Sequence, residues 1–373
     1  MEILGVTTVV AIVVICYLIG QGAKIITGIK DEFIPVIVGV AGGILGIVGM
    51  YVMPDFPAKN KKDYPFLKEV DSLALANVQL NLQGAIRNCF DKNRKKQNGF
   101  PKFKSSKHNR KSYTTNNQNG TVAIIDKKYI RLPKIGKVKA VIHRNAEEEW
   151  KVKSATISKD SDGKYYVSVL YEYEKIIPIV SISENAIGLD YKSDGLYMDS
   201  NGYCPSGHKY YRKNQEKLAK AQRKLKNKVI GSNNYRKQQK QIAKIQKHTS
   251  NQRLDYLHKE STKIANLYDT VCVENLDMKA MSNKGFGNGK ATMDNGYGMF
   301  LNMLEYKLAD RGKHFVKVDK WYPSTQLCSC CGKQKKLRLS ERIYKCECGQ
   351  TMNRDQNAAI NIKKEGLRIL KTA

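Results

Sequence analysis

The stretch AIGLDYKSDGLYMD at residues 186–199 decides the fold of the longer part of the chain. Its first apolar run ends at Asp190, a turn rich in Ser, Asp and Gly follows, and a second apolar run starts at Leu196. Two short apolar runs joined by turn residues predict two buried strands. A carboxylate at the end of a buried strand is costly unless it is paired or binds a metal. Asp190 is therefore a candidate site residue.

Two more acidic residues occur in similar settings further along the chain. Residues 268–276, YDTVCVENL, predict a buried strand with Glu274, and residues 353–362, NRDQNAAINI, place Asp355 at the start of an amphipathic helix. Taken alone, each acidic residue also fits an ordinary turn or helix-capping role. Clustered carboxylates bind hard divalent cations, and two such ions about 4 Å apart can hydrolyse a phosphodiester. The order Asp, Glu, Asp in these settings favours a metal site.

The charge of the chain indicates a polyanionic partner. It carries 65 basic and 34 acidic residues, a net charge of +31, which argues against an ordinary metabolic enzyme. Nucleic acid is the first candidate partner and an anionic membrane surface the second. Residues 1–57 hold two basic and four acidic residues, so they carry −2 and the remainder carries +33. The two parts of the chain therefore have the compositions of two different kinds of protein.

The cysteines are clustered, because five of the nine lie between residues 328 and 348. Such clustering suits a metal site in a reducing compartment better than a disulfide framework. Two close pairs of thiolates predict a four-cysteine zinc ribbon, which lets a small insert fold without a core of its own. Cys330 could compete with one member, and the second pair is spaced CxC rather than CxxC. The predicted zinc ligands are Cys328, Cys331, Cys346 and Cys348.

The first part of the chain predicts a membrane hairpin. Residues 4–20 and 33–53 contain no charge, and a bilayer core needs about 20 apolar residues per helix. Lys59, Lys61 and Lys62 follow and would keep the rest of the chain in the cytoplasm. A buried helical hairpin of a soluble domain and a cleaved signal peptide are the alternatives.

Basic residues alternate with aromatics at 99–111, GFPKFKSSKHNRK. The basic side chains are expected to contact phosphates and the aromatic rings to contact bases, and the alternative is a solvated loop. Period-two alternation at 121–180 predicts an antiparallel β-domain, with a barrel as one form. A helical hairpin at 208–269 is rich in Lys and Arg, which indicates backbone contact with nucleic acid or a solvated face. Residues 278–298 predict a loop, beside an active site or as a plain connector. The expected contact residues at 99–111 are Lys102, Lys104, Lys107, Arg110 and Lys111.

From about Tyr64 to the end, the chain resembles TnpB, the transposon-encoded RNA-guided DNA endonuclease family. The match is carried by PKFKSSKHNRKSY, AIGLDYKSDGLY, VCVENLDMKAM, KVDKWYPSTQLCSCCG and YKCECGQTMNRDQNAAINI. The resemblance implies a RuvC nuclease in which Asp190, Glu274 and Asp355 hold magnesium or manganese. It also implies a zinc ribbon, a β-barrel wedge domain, a nucleic-acid contact at Arg354, a guide RNA from the transposon end and a DNA target. The family often has Asp where Asn353 stands.

Residues 1–58 resemble small phage holins instead, through MEILGVTTVVAIVVICYLIG and FIPVIVGVAGGILGIVGMYVMPDFPA. The polar stretch KNKKDYPFLKEVD follows where holins continue with apolar residues, so the holin looks truncated. It stands where the nuclease family has wedge and recognition elements. The nuclease module is expected in the cytoplasm, or tethered to the inner membrane by this hairpin.

The expected fold is an α/β RNase H-like (RuvC) nuclease core with a zinc ribbon insert, preceded by a wedge-like barrel and a two-helix transmembrane hairpin. The expected function is RNA-guided cleavage of DNA. The alternatives are a non-cleaving or decayed nucleic-acid-binding derivative and a membrane-anchored holin fusion. The predicted segments are a hairpin (1–58), a basic recognition segment (59–120), the barrel (121–182), the core (183–323) with its helical hairpin (208–269), the ribbon (324–351) and the end of the core (352–373).

Overall fold

The computed structural model describes residues 61–91, 99–102, 111–283, 285, 289–338 and 340–372. The chain divides into two compact units between Tyr173 and Glu174. The predicted transmembrane hairpin at 1–58 lies outside the described residues. No helix among the residues that are described is both long and apolar enough to cross a membrane.

The described residues of the first unit form one long helix and six antiparallel strands. A short 3-10 helix at Pro65–Lys68 precedes α1, Ser72–Phe90, whose first turn is capped by the Asp71 carboxylate. The strands are β1 (Ser112–Asn116), β2 (Ala123–Ile125), β3 (Tyr129–Leu132), β4 (Gly136–Lys139), β5 (Lys151–Lys159) and β6 (Tyr165–Glu172).

These strands form two three-stranded sheets, in the orders β1-β5-β6 and β2-β3-β4. The buried side chains of Val122, Ile130, Leu132 and Ala155 come from both sheets and share one core. The predicted antiparallel strands are therefore present. The pairings among the described residues do not close them into the predicted barrel, because each sheet ends on an edge strand.

The described residues of the second unit form a four-stranded mixed sheet covered by helices and a separate antiparallel pair of strands. Its elements are β7 (Ala186–Tyr191), β8 (Tyr197–Asp199), α2 (Tyr210–Lys226), α3 (Asn233–Leu267), β9 (Thr270–Glu274), α4 (Met278–Met281), α5 (Gly289–Asn295), α6 (Tyr297–Ala309), β10 (His314–Val318), β11 (Ile343–Lys345), β12 (Thr351–Asn353) and α7 (Arg354–Thr372). The strand order is β10-β9-β7-β8, in which β7, β9 and β10 run parallel and β8 is antiparallel to β7. The inner parallel strands β7 and β9 read as near-continuous apolar runs because both of their faces are covered, whereas the edge strand β10 exposes Lys317.

The two faces of the sheet pack against different helices. Ile187 and Val273 point to one face, where they share a fully buried core with Leu257 of α3 and Leu304 of α6. The side chains between them in each strand point to the other face, because the side-chain period of a strand is two. On that second face lies α7, which covers β7, β9 and β10.

Two predictions between the strands have different outcomes. The helical hairpin predicted at 208–269 is present as α2 and α3, and Leu218 and Ile242 lie in the small core that joins them. The prediction of a loop at 278–298 is wrong, since α4, α5 and the start of α6 occupy most of its described residues. In α5, Asp294 accepts hydrogen bonds from the backbone N–H groups of Tyr211 and Arg212, a contact that local composition does not reveal.

Candidate active site

Two of the three predicted carboxylates lie side by side at one edge of the sheet. In the parallel pairing of β7 with β9, Leu189 is opposite Val273, so Asp190 and Glu274 occupy the next position of each strand. Val318, the last residue of β10, is opposite Glu274. Asp190 is the last residue but one of β7 and Glu274 is the last of β9, so both carboxylates lie at the carboxyl edge, on the face that α7 covers.

The third carboxylate reaches this edge on α7. A β-carbon at Gly188 would collide with the carbonyl oxygen of Ala359, so α7 lies directly on β7. Asp355 is one helical turn before Ala359 and therefore continues the same stripe of the helix toward the carboxyl edge. The Asn353 side chain caps the helix by accepting hydrogen bonds from the backbone N–H groups of Asp355 (2.9 Å) and Gln356 (3.3 Å). The amide at this position thus orients the first turn that carries Asp355.

The charges of the other two carboxylates act on Asp190. Asp190 is only 8% exposed. Burial raises the pKa of Asp190 well above its ordinary value, and the charges of Glu274 and then Asp355 raise it further. Burial also raises the pKa of Glu274, to about 7. Buried carboxylates that repel one another are stabilised by a cation, and the oxygen donors of Asp190, Glu274 and Asp355 fit a hard divalent ion such as magnesium or manganese.

Lys192 is a member of this site that the sequence analysis missed. Its Nζ lies 3.4 Å from Oδ2 of Asp355, and both side chains are largely buried. Arg354 contributes a second cation, with Nε 3.8 Å from Oδ1 of Asp355. The position of Lys192 two residues after Asp190 was the available signal, but a lysine in a turn is ordinarily solvated.

Tyr297 is a second residue that sequence reasoning did not identify. It is fully buried, and its ring centroid lies 5.0 Å from that of Tyr191. Its hydroxyl has no hydrogen-bond partner in the described part of the chain. Burial raises the pKa of Tyr297, and the nearby charges of Asp190 and Glu274 raise it further. No sequence signal pointed to it, because residues 278–298 were predicted to be a loop.

The four predicted cysteines meet. Among the described residues, they are the one group of His, Cys, Asp or Glu whose ligand atoms all lie within 4.8 Å of one another. Cys330 is exposed and outside the group, so Cys331 is the member of the first pair. Burial raises the pKa of the Cys328 thiol, but backbone hydrogen bonds from Cys331 and Cys330 outweigh it and lower that pKa to about 7. Four thiols in this arrangement suit a tetrahedral ion, and zinc fits them best.

Helix α7 also holds the loop that carries the first cysteine pair. The Asn357 carboxamide accepts a hydrogen bond from the Ser329 N–H (2.9 Å) and donates one to the Leu327 carbonyl (2.6 Å). Asn361 donates to the carbonyls of Ser324 (2.8 Å) and Leu327 (2.7 Å). Both asparagines are almost fully buried. One helix therefore presents Asp355 to the carboxylate cluster and binds the cysteine loop.

Only some of the predicted nucleic-acid contact residues lie among the described residues. Lys102 and Lys111 are exposed, whereas Lys104, Lys107 and Arg110 lie outside the described residues. Arg354 is half-buried, and it donates from Nη1 to the Arg338 carbonyl at 3.4 Å. A nucleic-acid role for these six residues stays a prediction.

Comparison with protein families divides the chain into three matched stretches. Residues 168–285 match the family OrfB_IS605, described as a probable transposase, and residues 297–362 match the Cas12f1-like TNB domain. Residues 6–86 match the phage holin family Hol44 of holin superfamily V. The holin match therefore extends past residue 58, where the sequence analysis ended it, and includes most of α1.

Two curated relatives cover most of the chain, and both bear the provisional name RNA-guided DNA endonuclease. A protein of Streptomyces pristinaespiralis is 33% identical over 83% of this chain and 75% of its own length. InsQ of Escherichia coli K12 is 32% identical over 84% of this chain and 79% of its own length. A cryo-EM structure described as a Cas12f1–sgRNA–target DNA complex is 15% identical and has a TM-score of 0.45, over 90% of this chain and 87% of that one.

Proposed function

The chain belongs to the TnpB-like family of RNA-guided DNA endonucleases, and we propose that it hydrolyses DNA phosphodiester bonds at Asp190, Glu274 and Asp355. The observation that carries this proposal is the approach of three carboxylates at the carboxyl edge of one sheet. Oxygen ligands of this kind hold hard cations, which is why magnesium or manganese is the expected cofactor.

The residues of the site perform binding and positioning. Asp190 and Glu274, on adjacent strands, would hold the cations together with Asp355 from the start of α7. When bound, two divalent ions supply the Lewis acidity that activates water and stabilises the leaving oxygen of the phosphodiester. Lys192 holds the Asp355 carboxylate in one orientation through their 3.4 Å contact. The reaction requires no covalent protein intermediate.

The proposed partners are a guide RNA from the transposon end and a DNA target. The net charge of +31 supports binding to a polyanion. Helices α2 and α3 are rich in exposed lysine and arginine along their outer faces, which suits contact with a phosphate backbone. Because release of counterions drives such contacts, the affinity for both nucleic acids should fall steeply with salt.

The four cysteines are proposed to bind zinc in a structural site. Four thiolate ligands leave no open coordination position, so this ion has no direct part in hydrolysis. Its proposed role is to fold the segment around residues 328–348, which α7 then fixes beside the nuclease core.

A non-cleaving nucleic-acid-binding protein is the second candidate function. The observation that favours it is the holin match at residues 6–86, since the resemblance to TnpB implies guide- and target-binding elements in that place. The membrane-anchored alternative depends on residues 1–60, which lie outside the described residues. Sedimentation of the full chain with membranes after cell lysis would support that alternative and count against a cytoplasmic location.

One experiment separates cutting from binding. The full chain is expressed beside its native flanking DNA, the RNA that copurifies is sequenced, and cleavage of a matching DNA is measured with magnesium. A discrete RNA from the transposon end, with cleavage that Asp190→Asn abolishes, supports the nuclease. A discrete RNA without cleavage supports the binding protein, and random cellular RNA argues against guide binding.

A further inference from the structure

Trp321 is an exposed aromatic side chain on a well-fixed turn. It is 80% exposed, whereas the next residue, Tyr322, packs against the buried core that includes Val318 and Ile362. The Trp321 N–H donates to the Asp319 carboxylate at 2.8 Å, and the Tyr322 N–H donates to the Asp319 carbonyl at 3.0 Å. The turn therefore presents the indole outward, with Tyr322 as the anchor.

This turn follows the carboxyl edge of the sheet. Val318 ends β10 opposite Glu274, and its carbonyl accepts a hydrogen bond from the Asn275 N–H at 2.9 Å. Trp321 is three residues further along, and Ser324 after it is bound by Asn361 of α7. The indole thus lies on the strip of chain between the carboxylate cluster and the first cysteine.

The surroundings of the indole suit a nucleobase. The Nζ of Lys320 lies 4.8 Å from the ring centroid, and both Lys320 and Asp319 are exposed. The indole therefore follows two exposed charged residues, whereas a protein-binding surface needs a contiguous apolar patch. A flat ring offers a stacking face to any base, and an adjacent ammonium can neutralise the phosphate that follows.

We propose that Trp321 stacks on an unpaired base of the DNA strand that enters the carboxylate cluster. Base faces inside a duplex are already stacked, so this contact requires a strand that is single-stranded at that point. The proposal rests on the proposed nuclease function and adds the form of its substrate. Lys320 binds the neighbouring phosphate in this arrangement.

Intrinsic fluorescence tests the contact directly, because the chain has two tryptophans. Trp150 stacks on Tyr173 at 4.4 Å in the first unit, and Trp150→Phe leaves Trp321 as the single reporter. The full chain with Trp150→Phe and Asp190→Asn is titrated with an oligothymidylate of about twelve nucleotides, within the usual site size, and with a duplex of the same length. We expect saturable quenching by the single strand and far less by the duplex.

Anisotropy of a labelled oligothymidylate supplies the matched comparison. Trp321→Ala should bind roughly tenfold more weakly, and Trp321→Phe, which keeps a stacking ring, should stay close to the parent. Because the indole is exposed, neither change should lower the melting temperature. Unquenched emission, equal affinities in the parent and Trp321→Ala, or no binding by the parent each overturns the proposal.

These experiments distinguish a failure of the stacking contact from a failure of the nuclease function. Cleavage is measured separately on the chain that keeps Trp150, with Asp190→Asn as the inactive control. Cleavage without quenching removes only the stacking contact. Quenching without any cleavage keeps the stacking contact and favours the binding protein over the nuclease.

Discussion

Gly366 of α7 lies directly against Cys272 of β9: a β-carbon at Gly366 would be 2.6 Å from the Cys272 β-carbon. No pair of real side chains approaches so closely, so a hydrogen at position 366 is what allows α7 to lie on the sheet. The same helix carries Asp355 at its first turn. The distance between α7 and β9 therefore sets where the third carboxylate lies relative to Glu274.

Gly366→Ala should push α7 away from the sheet. Overpacking of a filled interior typically costs about 1–3 kcal/mol of folding free energy, and the displacement should also lower cleavage. Chemical denaturation measures the first effect and a cleavage assay the second. Cys272→Gly removes the colliding atoms, so the double variant should lose less than the two single variants together. Strict additivity would contradict the contact.

Asp190→Asn should separate stability from activity. Without metal, the change removes one of three repelling carboxylates and should stabilise the fold, on the order of 1 kcal/mol. With magnesium, the parent should gain stability and the variant should gain little. Cleavage should fall by more than about 100-fold, since even outer partners of a metal site cost about 10–100-fold. Melting temperatures with and without magnesium measure the first two effects.

The control for that change is Glu305→Gln. Glu305 is an exposed carboxylate that pairs with Lys317 at 3.1 Å, away from the cluster. Surface pairs of this kind contribute at most about 1 kcal/mol. The control should therefore keep full cleavage and the full stabilisation by magnesium. A loss of either in the control would assign the effects to net charge rather than to the cluster.

Asn361→Leu should loosen the cysteine loop. The change keeps the volume of the side chain but leaves the buried Ser324 carbonyl without the Asn361 donor, while the Leu327 carbonyl keeps the Asn357 donor. The loss at Ser324 costs about 1–3 kcal/mol. Transfer of zinc to a coloured chelator should become faster than in the parent. Asn251→Leu, on the exposed side of α3, is the matched control and should change neither quantity.

Loss of the zinc should also weaken the hydrogen-exchange protection of α7. Cys346→Ser removes one of four thiolates, so the purified chain should contain less zinc, and amide hydrogen exchange should rise at residues 326–350. Because Asn357 and Asn361 bind that loop, exchange should also rise at the start of α7, whereas β7 should stay protected. Cys330→Ser should leave zinc content and exchange unchanged, and an equal effect of both changes would contradict the assigned ligands.

Tyr297→Phe should stabilise the metal-free chain or leave its stability unchanged. It removes a buried hydroxyl that has no partner in the described residues, and an unpaired buried group of this kind costs about 1–3 kcal/mol. Tyr197→Phe is the contrast, since the Tyr197 hydroxyl donates to Glu260 at 2.6 Å and its loss should destabilise. Thermal unfolding measures both. Strong destabilisation by Tyr297→Phe would mean that its hydroxyl is paired.

The sequence by itself determined the features that depend on residues close together in the chain. The spacing of Cys328 and Cys346 with their partners predicted the cysteine cluster, because a metal knuckle is a local structure. Strands ending at Asp190 and Glu274 followed from short apolar runs between turn signals. The resemblance to TnpB, confirmed by the relatives, came from motifs of the same local kind.

Only the tertiary structure decided which of these pieces meet. Asp355 reaches Asp190 because α7 lies on the sheet, and that position depends on Gly188 and Gly366, which are far apart in the chain. Lys192 and Tyr297 were likewise identified as site residues only by their contacts with distant segments. Helix α5 is held to α2 by the hydrogen bonds of Asp294 and α6 packs against α3, contacts that local composition does not show, and the strands predicted as a barrel pair into two sheets. Strand register and helix packing are sums over distant contacts, which a local pattern does not contain.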